Sequence, residues 1–131
     1  GKEFNVINDT YNANPLSMKA AIDVLIDIHK GRTIAVLGDM LELGPQKEEA
    51  HFEIGRYLAE KGVDILISVG ELADIIANGA EEIMNKDKIY RAKNNQEAYE
   101  QLSGLLNKGD CILVKGSRKM KMENIVDMIF D

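Results

Sequence analysis

Cysteine, tryptophan and long apolar runs are scarce or absent in this chain of 131 residues. It contains one cysteine, Cys111, and no tryptophan. A single cysteine excludes an internal disulfide and is typical of a reducing compartment. No apolar run approaches the roughly 18 residues that a membrane-spanning helix requires, and Gly1-Lys2-Glu3-Phe4 does not begin an apolar signal segment. These features predict a cytoplasmic protein without a membrane span.

Common phosphate-binding, hydrolytic and metal-binding motifs are also absent from the sequence. There is no Gly-x-x-x-x-Gly-Lys-[Ser/Thr] phosphate loop, no Gly-x-Gly-x-x-Gly fingerprint and no Gly-x-Ser-x-Gly motif. No set of cysteines and histidines has zinc spacing, so we expect no metal site. The net charge of −6 argues against a nucleic-acid partner. Cys111 lies in a predicted buried strand, which indicates a core residue and not a nucleophile.

Short apolar runs alternate with longer amphipathic segments along the whole chain. The centres of the short runs are rich in Val, Ile and Leu without strict alternation, as in strands that are covered on both faces. The pattern predicts an α/β fold in one domain, residues 1–131, with a doubly wound, Rossmann-like and mostly parallel sheet and helices on both faces. The run around Ile89-Tyr90 is the weakest and is expected at an edge. The predicted strands are Phe4–Asn8, Thr33–Leu37, Ile65–Val69, Lys88–Arg91 and Cys111–Lys115.

Apolar residues at intervals of three or four predict a helix after each strand. Pro15 is expected at the first position of the first helix, with Asn14 as its N-cap. Gly31, Gly62 and Gly109 follow the helices where left-handed C-terminal caps are expected. The apolar stripes are Met18, Ala21, Ile22, Leu25 and Ile28; Ile54, Tyr57 and Leu58; Leu72, Ile75, Ile76 and Ile83; Ala98, Leu102, Leu105 and Leu106; and Met122, Ile125, Val126 and Ile129.

Sheets of this kind bind ligands beyond the carboxyl ends of their strands, and the first loop, Asp9–Pro15, follows the first strand. The carboxylate of Asp9 could accept two hydrogen bonds from a ribose diol. Asn12 and Asn14 offer amide donors and acceptors, and Tyr11 offers a flat face for a base. The alternative is that Asn14 caps the helix and Asp9 caps the turn.

The second loop, Gly38–Pro45, carries two acids between two leucines. Asp39 and Glu42 could receive an ammonium group, directly or through water; the alternative is a solvated loop with its leucines tucked beneath it. His51 follows on the next helix. A lone helical histidine is more often a surface or boundary residue than a ligand, so His51 is interpreted in that way.

The third loop, Lys115–Lys121, has four cations in seven residues of an otherwise acidic chain. Gly116 permits close approach of the backbone, whose free N–H groups would favour an anion. Arg118 can bind a carboxylate or phosphate through two hydrogen bonds. The alternative is a solvated run of charges.

Together, three stretches resemble the signatures of the C-terminal, third domain of MurF-type Mur ligases. They occur in the order expected for that family and together span most of the chain. Thr10 stands where serine is common and keeps the hydroxyl group of the first signature. The matching stretches are Asp9–Pro15 followed by Ser17-Met18, Gly38–Gly44 followed by Glu49-Ala50-His51, and Val114–Arg118.

The resemblance implies an ATP-dependent amide ligase of peptidoglycan synthesis. In that family D-alanyl-D-alanine is added to a UDP-N-acetylmuramoyl-tripeptide through an acyl phosphate. An N-terminal domain binds the UDP-sugar, and a central domain carries the phosphate loop and the Mg²⁺ ligands. Neither is present in these residues, so we expect an excised third domain whose partners are those two domains, with no catalytic residue of its own and no activity alone.

The resemblance also implies roles for residues of the three loops. The first loop would hold the ribose and border the adenine of ATP, while the other two would face the dipeptide and anionic substrate groups. The implied nucleotide-binding residues are Asp9, Tyr11, Asn12 and Asn14. The implied substrate-binding residues are Asp39, Glu42, Lys115, Ser117 and Arg118.

Two other classes of protein stay open at this point. Mur ligases that add a single amino acid and folylpolyglutamate synthases share the superfamily, but they usually carry histidine in the first loop and lack the Gly38–Gly44 run. A non-catalytic, doubly wound binding or signalling domain, such as a receiver module, would need an aspartate at the end of its third strand. Here that strand is followed by Gly70-Glu71.

Overall fold

The structure, a computed structural model, describes residues 4–131. Five strands form one sheet in the order β1-β5-β2-β3-β4, and each neighbouring pair is parallel. The predicted α/β fold with a parallel sheet is therefore confirmed. The strands are β1 (Asn5–Asp9), β2 (Thr33–Gly38), β3 (Ile65–Val69), β4 (Ile89–Ala92) and β5 (Cys111–Lys115).

Five helices cover both faces of the sheet, as predicted. The two faces of each central strand contribute to different cores because successive side chains point in opposite directions. On β2, for example, Leu37 packs with α1, α2 and α3, whereas Val36 packs with α4 and α5. The helices are α1 (Pro15–Ile28), α2 (Lys47–Glu60), α3 (Ala73–Ala80), α4 (Asn95–Leu105) and α5 (Glu123–Phe130).

The strand order explains this division of the helices. Crossovers between parallel strands are almost always right-handed, so connections that run in opposite directions across a sheet place their helices on opposite faces. The chain runs from β1 past one position to β2, continues to β3 and β4, and then returns to place β5 between β1 and β2. The segments that follow β1, β2 and β3 thus lead to one face and the returning segment after β4 to the other, where α5 also packs. Such reversals open a crevice at the carboxyl ends of the strands.

The predicted element boundaries are close to the observed ones. The first strand is Asn5–Asp9 where Phe4–Asn8 was predicted, and β4 is the predicted edge strand, shifted by one residue because Lys88 ends a short 3₁₀ turn. Two members of the predicted apolar stripes are wrong. Ile28 is 51% exposed at the end of α1, and Ile83 is 45% exposed because α3 ends three residues before it.

The predicted start of α1 is confirmed. Asn14 is the N-cap and Pro15 the first helical residue. The Asn14 side chain accepts a hydrogen bond from the Ser17 N–H at 2.9 Å, and the Ser17 hydroxyl accepts one from the Asn14 N–H at 3.0 Å. This reciprocal pair satisfies two amide groups that a helix start leaves without partners.

Of the three glycines predicted to cap helices, one is confirmed. Gly62 follows α2 with a left-handed φ of 89°. Gly109 shares that φ but lies in a turn beyond the end of α4. The prediction for Gly31 is wrong, since α1 ends with an extended residue, His29. A side chain at Gly31 would lie 2.4 Å from the Gly109 carbonyl oxygen, so a close approach of two chain segments explains the glycine.

An ion pair joins two central strands at their amino ends, opposite the crevice. Arg32, just before β2, donates to both carboxylate oxygens of Asp110, just before β5, at 3.1 and 2.8 Å. Asp110 is 1% exposed. Because each charge satisfies the other in two hydrogen bonds, the pair fixes β2 against β5 at their amino ends.

No helix within residues 4–131 has the length and apolar character needed to cross a membrane.

Helices α2 and α3 are in backbone contact. A Cβ atom on Gly55 of α2 would lie 1.9 Å from the Ile76 carbonyl oxygen of α3. A Cβ atom on Gly79 of α3 would lie 2.1 Å from the Phe52 carbonyl oxygen of α2. These separations are far below van der Waals contact, so only glycine lets the two helices pack at this distance.

This packing predicts that Gly79→Ala destabilises the chain by about 1–3 kcal/mol, the usual cost of overpacking a well-packed interior. Gly104→Ala is the matched control, because Gly104 lies in α4 with no atom within 4 Å of its added Cβ. There the helix propensity of alanine should stabilise the fold by up to about 1 kcal/mol. Urea unfolding followed by circular dichroism measures both. A neutral Gly79→Ala would contradict the backbone contact.

Candidate functional site

A cleft of about 610 Å³ lies at the carboxyl ends of β1, β5 and β2, where the three loops of interest meet. Each loop contributes to its lining, so the structure brings together stretches that lie more than a hundred residues apart. The third loop contributes most of the charged groups. The lining residues are Asn12, Leu41, Glu42, Ser117, Arg118, Lys119, Lys121 and Glu123.

Ser117 joins the third loop to the second. Its backbone N–H donates to the Asp39 carbonyl oxygen at 3.0 Å. Its hydroxyl accepts a hydrogen bond from the Leu41 N–H at 2.7 Å. Ser117 is only 7% exposed, but its hydroxyl proton can still be donated to an acceptor in the cleft. The predicted substrate-binding residue Ser117 thus lines the cleft and also shapes the second loop.

His51, on α2, is hydrogen-bonded to the backbone of the second loop. It is 0% exposed, so its interpretation as a surface or boundary residue is wrong. The Nε2 atom accepts a hydrogen bond from the Met40 N–H at 2.9 Å, and Nδ1 lies 2.6 Å from the Lys47 carbonyl oxygen. Both contacts are satisfied by a neutral ring with its proton on Nδ1. The histidine is buried because a turn amide of the second loop needs an acceptor.

Asp39 lies apart from the cleft. Its Oδ1 accepts a hydrogen bond from the Ala73 N–H at 2.7 Å, at the amino end of α3. Burial raises the pKa of Asp39 above its ordinary value, and the hydrogen bond from Ala73 opposes that rise. A side chain on Gly70 would lie 2.6 Å from Oδ1, so the β3–α3 turn passes close to the carboxylate. The structure therefore separates Asp39 from Glu42, with which it was paired in the prediction.

Glu42 and Lys121 face the cleft with unusual backbone conformations. Their φ angles of 64° and 51° lie in the left-handed region, which costs a non-glycine residue about 1–2 kcal/mol. Such residues cluster at functional sites. The Lys119 ammonium lies 3.8 Å from the Glu42 carboxylate, but both side chains are more than three-quarters exposed, so this pair adds little stability. Lys121 and Glu123 were not identified individually as site residues from the sequence.

Lys115 turns away from the cleft. It is 2% exposed, and its Nζ donates to the Asn12 carbonyl oxygen at 2.8 Å and lies 2.9 Å from Asp9 Oδ2. The ammonium thus contacts the first loop, although it was predicted to face anionic substrate groups. The Asp9 side chain is 43% exposed, so its carboxylate also faces solvent at the end of β1.

Arg118 and Tyr11 contact each other across the first and third loops. The Arg118 guanidinium carbon lies 5.1 Å from the centroid of the Tyr11 ring, a cation–π distance. Tyr11 is 72% exposed and Arg118 is exposed as well. The N–H donors of the exposed Arg118 guanidinium remain available to a ligand.

The two asparagines of the first loop have different environments. The Asn12 side chain accepts from the Ala13 N–H at 2.9 Å and lies at the cleft. Asn14 Oδ1 is occupied by the helix cap described above. The alternative interpretation of Asn14 as a cap is thus confirmed, and its amide nitrogen can still donate to a ligand.

The cleft has more cations than anions, in a chain whose net charge is −6. Arg118, Lys119 and Lys121 lie opposite Glu42 and Glu123. In the described part of the chain, no group of three or more histidine, cysteine or acidic residues could hold a metal ion. Cys111 lies in the core, as predicted, and burial raises the pKa of its thiol. The arrangement suits an anionic or zwitterionic ligand.

Comparison with known proteins agrees with this geometry. The family described as "Mur ligase, glutamate ligase domain" matches residues 1–118. The chain is 40% identical over 123 residues to the UDP-N-acetylmuramoyl-tripeptide–D-alanyl-D-alanine ligase of Bacillus subtilis, covering 93% of this chain and 27% of that protein. The enzyme of the same name from Escherichia coli is 34% identical, with 92% and 26% covered.

Solved structures agree as well. MurF from Acinetobacter baumannii superposes with a TM-score of 0.88 at 34% identity, covering 98% of this chain and 28% of that one. The MurF ligase of Thermotoga maritima in complex with ADP gives a TM-score of 0.81 at 28% identity, with 97% and 28% covered. The chain spans about a quarter of the length of its curated relatives. Since the family match extends over nine-tenths of the sequence, this chain belongs to the Mur ligase family and corresponds to its glutamate ligase domain.

Proposed function

We propose that this domain binds the dipeptide and the adenosine end of ATP in a cytoplasmic ligase that joins D-alanyl-D-alanine to UDP-N-acetylmuramoyl-tripeptide. The observation that carries the proposal is the convergence of the three signature loops on one cation-rich cleft. Relatives of 31–40% identity named for this dipeptide reaction favour it over a ligase that adds a single amino acid.

The reaction divides into two steps. The carboxylate of the tripeptide takes the γ-phosphoryl group of ATP, which leaves ADP and an acyl phosphate. The amine of the dipeptide then attacks the acyl carbon, and inorganic phosphate leaves as the peptide bond forms. Phosphoryl transfer needs a phosphate-binding loop and a metal ion. The sequence contains no such loop, so the phosphates and the UDP-sugar are assigned to the other domains of the enzyme.

Mg²⁺ is likewise assigned outside this domain. Magnesium prefers carboxylates and phosphate oxygens in octahedral geometry, and no suitable group of side chains exists among residues 4–131. When bound, the ion would neutralise charge on the transferred phosphoryl group. The residues of this domain take part in binding and orientation only.

Asp9 is the proposed ribose ligand. It ends β1 beside β5, at a point where the connections of neighbouring strands lead to opposite faces of the sheet. Nucleotides bind at such switch points. Its carboxylate is held from one side by Lys115 and remains partly exposed, which suits the acceptance of hydrogen bonds from a diol.

Arg118 and Glu42 are the proposed ligands of the dipeptide, which is a zwitterion. Arg118 has the planar set of donors suited to a carboxylate, and its contact with Tyr11 limits the orientations of the guanidinium. Glu42 lies on the second loop and lines the same cleft. Its carboxylate can receive the dipeptide ammonium before that group loses a proton and attacks.

The first prediction from the proposed function is that residues 1–131 alone hydrolyse no ATP and form no peptide bond. The sequence has no phosphate loop and its residues 4–131 contain no Mg²⁺ ligand cluster, and positioning by these groups supplies most of phosphoryl-transfer catalysis. Release of phosphate from ATP by the purified chain is the measurement. Hydrolysis that disappears when a residue of this chain is substituted would contradict the proposal.

The second prediction concerns Asp9 in the complete ligase. Asp9→Ala should raise the KM for ATP, corresponding to a loss of roughly 1–3 kcal/mol for a charge-assisted hydrogen bond. Asp9→Asn should have the smaller effect, because it keeps an acceptor near Lys115. Steady-state kinetics with ATP and dipeptide varied in turn test this. An unchanged KM for ATP with weakened dipeptide binding would place Asp9 in the other subsite.

The third prediction concerns Arg118. Arg118→Lys keeps the charge but loses the paired hydrogen bonds, so the KM for D-alanyl-D-alanine should rise while kcat changes less. The matched control is Arg56→Lys, on α2 and outside the cleft, where Arg56 pairs with Glu82. It should leave the constants for all three substrates at wild-type values.

A different outcome for Arg118 has a defined meaning. If turnover falls and the KM for dipeptide does not change, then Arg118 contacts the γ-phosphate or the tripeptide carboxylate instead. Wild-type constants for Arg118→Lys and Arg118→Ala would show that the third loop is a solvated run of charges.

A further inference from the structure

Lys115 is a buried cation to which the proposed function gives no ligand contact. It ends β5 and is 2% exposed, the largest of the fully buried side chains. Its backbone lies in register with Asp9 of β1 on one side and Leu37 of β2 on the other. The Nζ atom contacts the first loop, and Lys115 is not among the residues that line the cleft.

The contacts of this ammonium group all lie at the first loop. Nζ donates to the Asn12 carbonyl oxygen at 2.8 Å and is 2.9 Å from Asp9 Oδ2. An ion removed from water without partners costs several kcal/mol. The buried position of Lys115 is therefore stable only while the first loop keeps its conformation. In turn, the ammonium fixes both the start of that loop, at Asp9, and its middle, at Asn12.

This arrangement determines how Asp9 is presented. One carboxylate oxygen is held by Lys115, and 43% of the side chain is exposed. The carboxylate therefore has a fixed orientation before any ligand arrives, and preorganisation of this kind lowers the entropy lost on binding. A lysine that is 2% exposed can contact a bound substrate only if the loop opens.

We propose that Lys115 is a positioning residue for the nucleotide site, acting through Asp9 and Asn12 and not by contact with an anionic substrate. The inference rests on the proposed function, since it takes Asp9 as the ligand of the ribose diol. It assigns to Lys115 an effect on ATP binding, with little effect on the dipeptide or on turnover.

Lys115→Met in the complete ligase is the first test, because methionine fills a similar volume without the charge. It should raise the KM for ATP about tenfold, the scale of one charged hydrogen bond, with a much smaller change in kcat. The ratio of the KM for 2′-deoxy-ATP to the KM for ATP should fall towards that of Asp9→Asn. A purely structural role would not change this ratio.

The matched control is Arg32→Met. Arg32 pairs with buried Asp110 and joins β2 to β5, but at the amino ends of these strands, far from the nucleotide site. Its loss should lower the unfolding temperature as much as Lys115→Met does, or more, and leave both nucleotide constants unchanged. If Arg32→Met raised the KM for ATP to the same extent, general destabilisation would explain the effect and the proposal would be overturned.

The double variant Asp9→Ala/Lys115→Met separates an action through Asp9 from an independent one, because alanine leaves Lys115 no acceptor at position 9. If Lys115 acts mainly through Asp9, the KM for ATP of the double variant should lie well below the product of the two single effects, since the effects of coupled residues do not add. Fully multiplicative effects would overturn the proposal. If Lys115→Met does not fold, the double variant still serves, because it removes both charges of the pair; a KM for ATP about tenfold or more above that of Asp9→Ala would then overturn the proposal.

These arms also distinguish this proposal from the proposed function. If Asp9→Ala leaves the KM for ATP and the 2′-deoxy ratio unchanged, the ribose assignment is wrong. If Asp9→Ala raises that KM and Lys115→Met does not, the ribose assignment stands and the positioning role of Lys115 is wrong.

Discussion

The insertion of β5 between β1 and β2 is the constraint on which the cleft depends. It brings Lys115 beside Asp9, places Ser117 where it can bond to the second loop, and makes the third loop the common neighbour of the other two. Each contact crosses a strand pair whose members are distant in the chain. Loss of the pairing of β5 with either neighbour would therefore disperse the whole site and not one part of it.

Much of the fold could be predicted because it depends on local patterns. The apolar runs located the five strands to within one residue at each end, and Asn14-Pro15 located the start of α1. The errors concern the ends of helices. Ile28 continued the apolar stripe of α1 but is exposed at the end of that helix. Gly31 fitted the pattern of a helix cap, but the need for glycine there comes from Gly109, almost eighty residues away.

The site was harder to predict from the sequence, because its contacts also join segments that are distant in the chain. Residue type and loop position were enough to select Asn12, Glu42, Ser117 and Arg118, half of the residues that line the cleft, but not to tell which groups bond to the protein itself. Asp39 caps α3, Lys115 binds the first loop, and His51 receives an amide of the second loop. In the sequence, a charged side chain that bonds to the protein itself cannot be distinguished from one that is free to bind a ligand. The distinction requires the three-dimensional structure.

The backbone contact between α2 and α3 has a consequence for the second loop. His51 of α2 holds Met40, and Ala73 at the start of α3 holds the adjacent residue, Asp39. The loop is thus suspended between two helices whose spacing is set at Gly55 and Gly79. A movement that spreads or rotates these helices, on the face of the sheet away from α5, pulls the Met40 amide and the Asp39 carboxylate in different directions. The rim of the cleft at Leu41 and Glu42 is therefore mechanically linked to the distance between α2 and α3, which Gly55 and Gly79 set outside the cleft.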